Sequence, residues 1–203
     1  MSKVRCAILC LLLAAAAPLR AAGPQDEVLA RLARNAAGIE TVQGRVKQEK
    51  RLQMFRDTVV SWGRFAYHSP DRLRWELTEP VVTGFVITGQ TGRRWHGLTG
   101  KTEPFTLESD PMMRVVTSQI LASVRADFSP LRKEYRISVS SESPVTLQLE
   151  PLVPNPFVER VIVTFSKGAE LVESVAVHEK GGDRTTFSFT DVEVNRPLPD
   201  GTF

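Results

Sequence analysis

The side chains best suited to chemistry are the three histidines, His68, His96 and His178, and the carboxylates beside the last of them, Glu179 and Asp183. Histidines that share a metal ion recur at short, fixed spacings, as in the two ligands of a zinc-protease helix. These three are scattered, and "HEKGG" at 178–182 lacks the second histidine of such a helix, so it reads as a hairpin. Glu179 and Asp183 would have to divide acid and base roles to cleave a glycosidic bond, but two acids flanking a turn are ordinarily solvated. No G-x-S-x-G elbow, no G-x-x-x-x-G-K phosphate cradle and no G-x-G-x-x-G dinucleotide turn is present. The expectation is a protein that is not an enzyme, with no catalytic, cofactor or metal residues.

What the sequence does carry is apolar patterning. In "HSPDRLRWELTEP", residues 68–80, Leu73, Trp75 and Leu77 alternate with Arg72, Arg74, Glu76 and Thr78, the pattern of a strand with one apolar face. Similar period-two segments run near 42–54, 59–68, 83–88 and 92–98, joined by tight turns such as "TGQTG", with Pro70, Pro80 and Pro104 placed at segment ends. Further strands are expected at 134–140, 145–150, 158–166, 171–179 and 184–194, with "SKGAE" and "KGGD" as turns. Two segments have helical spacing instead. "GPQDEVLARLARNAAGIE" places Val28, Leu29, Leu32, Ala36 and Ile39 on one side, and Gly38 marks its end. "SDPMMRVVTSQILASVRADFS" has Ser109 or Asp110 to cap it, Pro111 for its first turn and a stripe of Met112, Val116, Ile120 and Val124, widened by Met113 and Leu121. About ten strands and two helices, the second set between two runs of strands, predict an α+β fold: a strongly curved antiparallel sheet, or incomplete β-barrel, with amphipathic helices on its hollow face.

The first 22 residues stand apart. Lys3 and Arg5 precede an apolar run from Cys6 to Ala17, and small residues follow at Ala21 and Ala22, which reads as a cleavable secretory signal. The run is too short for a spanning helix of about 20 residues. The expected division is a signal peptide at 1–22 and one domain at 23–203, exported and free of disulfides because Cys6 and Cys10 leave with the leader. Loss of Lys3, Arg5 and Arg20 also brings the 26 basic residues down to 23, equal to the 23 acidic ones. That balance argues against nucleic acid as a partner, which needs a sustained basic face.

In this order the elements resemble the LolA family of periplasmic lipoprotein carriers and its near relatives. The resemblance rests on the opening helix, "VQGRVKQEK", "FAYHSPDRLRWELTEP", "GFVITGQTGRRW", the central Met-containing helix, "LQLEP", and "VERVIVTFSKGAELVESVAVHEKGGDRTTFSFTDVEVNRPLP". Its most specific part is the P-x-x-x-x-W-x-x-x-x-P frame at Pro70, Trp75 and Pro80, followed by a G-x-x-G-x-x-W hairpin.

The resemblance implies a barrel whose apolar hollow, under a helical lid, shelters the acyl chains of lipoproteins crossing the periplasm. It also implies an inner-membrane ABC transporter as donor, an outer-membrane acceptor and no cofactor. Relatives that carry a glycolipid or other amphiphile, or that sense lipids for a regulator, are the alternatives. The residues expected to line the hollow are Leu73, Trp75, Leu77, Phe85, Ile87, Met112, Met113, Val116 and Ile120, with Phe165, Phe187 and Phe189 as further candidates. A monomer is expected, since nothing in the pattern requires a second copy. The chain departs from the family where a basic residue fastens the lid just before the first proline of the frame. Ser69 stands there, so lid control is expected to differ.

Overall fold

A computed structural model describes residues 23–54, 57–154, 158–168 and 171–203. The expected leader at 1–22 lies outside these residues, as do positions 169 and 170 of the "SKGAE" turn. Helix α1 is Pro24–Ala36, with proline in its first turn, Asp26 and Glu27 near its positive end and Arg34 near its negative end. Its apolar face, Val28, Leu29, Leu32 and Ala36, is buried.

Six strands follow: β1 (Thr41–Arg51), β2 (Thr58–His68), β3 (Arg72–Glu79), β4 (Thr83–Thr88), β5 (Thr91–His96) and β6 (Lys101–Thr106). Helix α2 (Pro111–Arg125) and a 3-10 turn at Pro130–Lys133 lead to β7 (Tyr135–Glu142), β8 (Val145–Pro151), β9 (Val158–Phe165), β10 (Val172–Glu179) and β11 (Arg184–Val194). All eleven strands form one open antiparallel sheet in the order β6-β5-β4-β3-β2-β1-β11-β10-β9-β8-β7. The chain steps outward from the middle to one edge, crosses, and steps back from the other edge until β11 pairs with β1. Because β6 and β7 are the opposite edges, the connection that contains α2 has to span the hollow between them. The placement of α2 is therefore a consequence of strand order.

The strand at β6 adds a sixth to the five segments expected in this part of the chain. Pro104 lies within it opposite Arg93 rather than at a segment end, and an edge strand tolerates the missing backbone donor. Curvature comes from close backbone approach in the middle of the first half. The β2–β3 register shifts between Trp62 and Gly63, and a methyl group on Gly63 would lie 2.0 Å from the Glu76 carbonyl oxygen. On the next strand, a methyl on Gly84 would lie 2.4 Å from the Trp75 carbonyl oxygen. Bulges and side-chain-free positions of this kind let a sheet bend tightly.

The outer face of the bend is held by charge. Glu76, 8% exposed, accepts from Arg64 at 2.9 Å and Arg74 at 3.2 Å, and the Arg74 guanidinium stacks 5.0 Å from the Trp95 ring. Burial pushes the Glu76 carboxyl up, but the two arginines outweigh it and hold it below its usual range. On the inner face the largest cluster of buried side chains lies where α1 packs over the β7–β9 half, joining Leu32 and Leu29 to Leu147, Val161, Val163 and Phe165.

Candidate functional site

The inward residues of the sheet follow from its register, since directly opposed positions share a face. Trp75 is opposite Phe65 on β2 and Phe85 on β4, and Val46 and Gln48 on β1 are opposite Phe189 and Phe187 on β11. The seam between the two halves thus gathers an aromatic floor. The Trp75 ring lies 5.5 Å from Phe187 and 6.1 Å from Phe189, both edge-on, and Phe65 meets Phe189 at 5.3 Å. Each such pair contributes about 1 kcal/mol beyond its buried area.

Above this floor α1 fills one side of the hollow and α2 crosses the other, leaving a cavity of about 620 Å³. Its wall combines the aromatic floor with Val161, Val163, Val175 and Val177 of β9 and β10, and with one stripe of α2: Met112, Val116, Ile120 and Val124. Where the wall meets solvent, the α2 side is apolar: Met112 is 73% exposed, Val115 and Val116 36% each.

The nine residues expected to line the hollow separate into two groups. Trp75, Phe85, Met112, Val116 and Ile120 are in the wall, as are Phe187 and Phe189. Leu73, Leu77, Ile87 and Met113 are not in the wall but in close packing, and so is Phe165. Met113 turns away from the stripe to meet Ile87, Phe105 and Leu107, which closes the corner beneath the start of α2. Leu77 packs with Val46 and Trp75, Leu73 is fully buried, and Phe165 joins the core under α1, 6.2 Å from the Phe128 ring. All share the inward period of their elements, so only the placement of the helices divides core from cavity.

Three polar devices hold α2. At its start Asp110 caps the helix by accepting from the Met113 N–H at 3.0 Å and pairs with Arg94 at 2.7 Å. The Met113 N–H, together with Arg94, holds the Asp110 carboxyl below its usual range despite its burial. In the middle Gln119 donates to the Tyr135 hydroxyl at 2.8 Å, and burial pushes that phenol up. At the end Arg125 Nε donates to the Tyr67 hydroxyl at 3.1 Å, and Tyr67 is 1% exposed. Tyr67 stands two residues before Ser69. Near the first proline of the frame the helix is thus tied to the sheet by a cation on α2 and an acceptor on β2.

One helix residue is poorly matched. The Thr117 hydroxyl is buried and finds no hydrogen-bond partner among the described residues. Thr117→Val keeps the shape and removes the orphaned group, so it will raise the unfolding free energy by about 1 kcal/mol in urea titrations. A loss of stability would mean that the hydroxyl is satisfied in solution.

The candidate chemical groups stay dispersed. His68 contacts the Ser69 carbonyl through Nδ1 at 2.6 Å, and His178 lies on β10 with its ring 3.4 Å from Arg160. Burial, then Arg160 and Arg184, push the His178 imidazole down. Among the described residues no three of His, Cys, Asp and Glu gather as a metal site, and no helix is long and apolar enough to cross a membrane.

The family model described as outer membrane lipoprotein carrier protein LolA matches residues 37–203. No curated protein matches the chain. Among solved structures it is similar to the LolA superfamily protein NE2245 from Nitrosomonas europaea, at 11% identity and a TM-score of 0.46, covering 87% of this chain and 95% of that one. It is also similar to a DUF1329 family protein from Desulfovibrio piger, at 9% identity, TM-score 0.46 and coverage of 87% and 95%. A third is the lipoprotein LppX from Mycobacterium tuberculosis, at 11% identity, TM-score 0.45 and coverage of 85% and 97%.

Proposed function

This chain belongs to the LolA family, and we propose that it is a periplasmic carrier that shelters the acyl chains of lipoproteins in the cavity between its sheet and α2. The observation that carries this reading is the wall itself: about 620 Å³ of space bounded by valine, phenylalanine, tryptophan and methionine. Each methylene moved into such a space from water gains about 0.8 kcal/mol, so ten of them supply about 8 kcal/mol without any directional contact. Release then depends on opening the wall. Met112, Val115 and Val116 suit a wall that opens, because they border the space from the helix and not from the sheet, and methionine adapts to irregular occupants.

In this reading residues 1–22 direct export, an inner-membrane ABC transporter loads the cavity and an outer-membrane acceptor empties it. A carrier of a glycolipid or other amphiphile, or a lipid-sensing regulatory domain, would use the same wall.

The test is mass spectrometry of lipids released from protein purified without detergent from its own host. Acylated peptides are the expected species. A glycolipid would move the assignment to another cargo. In parallel, a Trp75-only variant will shift or lose fluorescence when an acyl ligand saturates the protein. No spectral response would mean that Trp75 is core, and an absence of any bound lipid would overturn the carrier reading.

A further inference from the structure

One group in the cavity wall is out of keeping with the rest. Among the described residues the wall has a single ionisable side chain, Glu179, the last residue of β10. Gln48 and Thr185 accompany it in the wall, and the Thr185 hydroxyl donates to Glu179 Oε1 at 3.4 Å. Val172, at the other end of the same strand, also borders the space, with Val42, Leu171 and Val192 as apolar company. Seven steps of strand separate Val172 from Glu179, roughly 23 Å. Along the sheet the cavity therefore runs from an apolar end to a polar one, and Gln119 and Ser123 add polar groups from α2.

The second carboxylate oxygen of Glu179 has no hydrogen-bond partner among the described residues, and no cation lies within ion-pair distance of it there. The nearest inward cation in the register is Lys50, opposite Thr185, and it makes no bridge to Glu179. A carboxylate at the margin of an apolar space is left half-satisfied when the space fills and water leaves, unless the occupant supplies a donor. An anionic occupant would add repulsion at short range.

We infer that Glu179, with Gln48 and Thr185, is a head-group subsite that selects amphiphiles presenting an ammonium or several N–H or O–H donors over those with an anionic head. The inference deepens the carrier reading and rests on it. The acyl tail runs toward Val172 and Val192, and the head stops at the β10–β11 turn.

Twelve-carbon ligands of equal tail length isolate the head group. Dodecylamine, dodecyl maltoside and dodecanoate, each below its micellar concentration, compete for the full protein against an uncharged pyrenyl ester of a long-chain fatty acid. The amine and the maltoside are expected to displace the ester at concentrations at least about tenfold lower than dodecanoate, a difference of about 1.4 kcal/mol. Glu179→Gln is expected to bring amine and dodecanoate within about threefold of each other while the uncharged ester still binds. Lys50→Gln is expected to preserve the wild-type ratio.

Equal binding of amine and dodecanoate to the wild type overturns the inference, as does a ratio that survives Glu179→Gln. Tighter binding of dodecanoate, reversed in Lys50→Gln, overturns it in favour of Lys50 as the selecting group. If the ester itself does not bind, it is the carrier reading that fails. Continued binding of the uncharged ester and an unchanged circular dichroism spectrum show that Glu179→Gln is folded.

Discussion

Gly63→Ala will lower the unfolding free energy by about 3 kcal/mol, and with it the melting temperature by about 6–12 °C. The added methyl would lie 2.0 Å from the Glu76 carbonyl oxygen and 2.8 Å from the Leu77 Cα, so it meets backbone on a paired strand and not a side chain that can rotate away. Relief requires β2 and β3 to separate where their register shifts. Separation in turn pulls on Glu76, whose two arginines come from these same strands. Gly84→Ala will act in the same direction from the other side of β3, and the double variant will lose less than the sum because both distort one strand. Differential scanning calorimetry measures both. A Gly63→Ala melting temperature within about 2 °C of the parent would show that the bend is not fixed there.

Val175→Asp will weaken the binding of an uncharged acyl probe by at least about 100-fold, or about 2.7 kcal/mol, while changing the stability of the empty protein far less. Val175 sits on β10 between Val163 and Phe187 in register, in the cavity wall. With the cavity empty, a carboxylate there has water beside it. With an acyl chain present, the same carboxylate is dehydrated against methylenes and lacks a partner. Val175→Leu, which keeps the wall apolar, will bind within a few-fold of the parent. Probe titrations that leave Val175→Asp at parental affinity would remove the cavity as the acyl site.

Much of this arrangement was legible in the residues. The stripe Met112, Val116, Ile120 and Val124, of which the first three are expected at the hollow from sequence, is the face that borders the cavity, because a helix that spans a hollow must turn its apolar stripe inward. The alternation at Leu73, Trp75 and Leu77 likewise fixed a strand and its inner side. Period alone does not say how far each residue stands from the nearest helix. Trp75 meets open space, whereas Leu77 and Leu73 on the same face meet side chains.

The valines of β9 and β10 carried the same signal as Phe85, yet drew no notice as lining because "VERVIVTF" and "VESVAVHE" read equally well as filled core. β6 escaped because "KTEPFT" has a proline and charges that suit only an edge, and edge position is a property of strand order. The bond from Arg125 to Tyr67 was hidden for a related reason. It joins positions 58 residues apart, and no spacing within either quoted stretch pairs the two side chains.

The pairing of β1 with β11 has a further consequence, in time. Val42 pairs with Val194 and Arg51 with Arg184, so the seam that carries the aromatic floor joins the first strand to the last. Hairpins within each half close over short loops, but this seam has a loop of almost the whole domain to close, and contacts of that range form slowly. Each half can take shape early as a meander with one open edge. Trp75 and Phe65 arrive with the first half, Phe187 and Phe189 with the second, and the cavity wall is complete only once the two have met. The cavity is therefore a product of the last folding step.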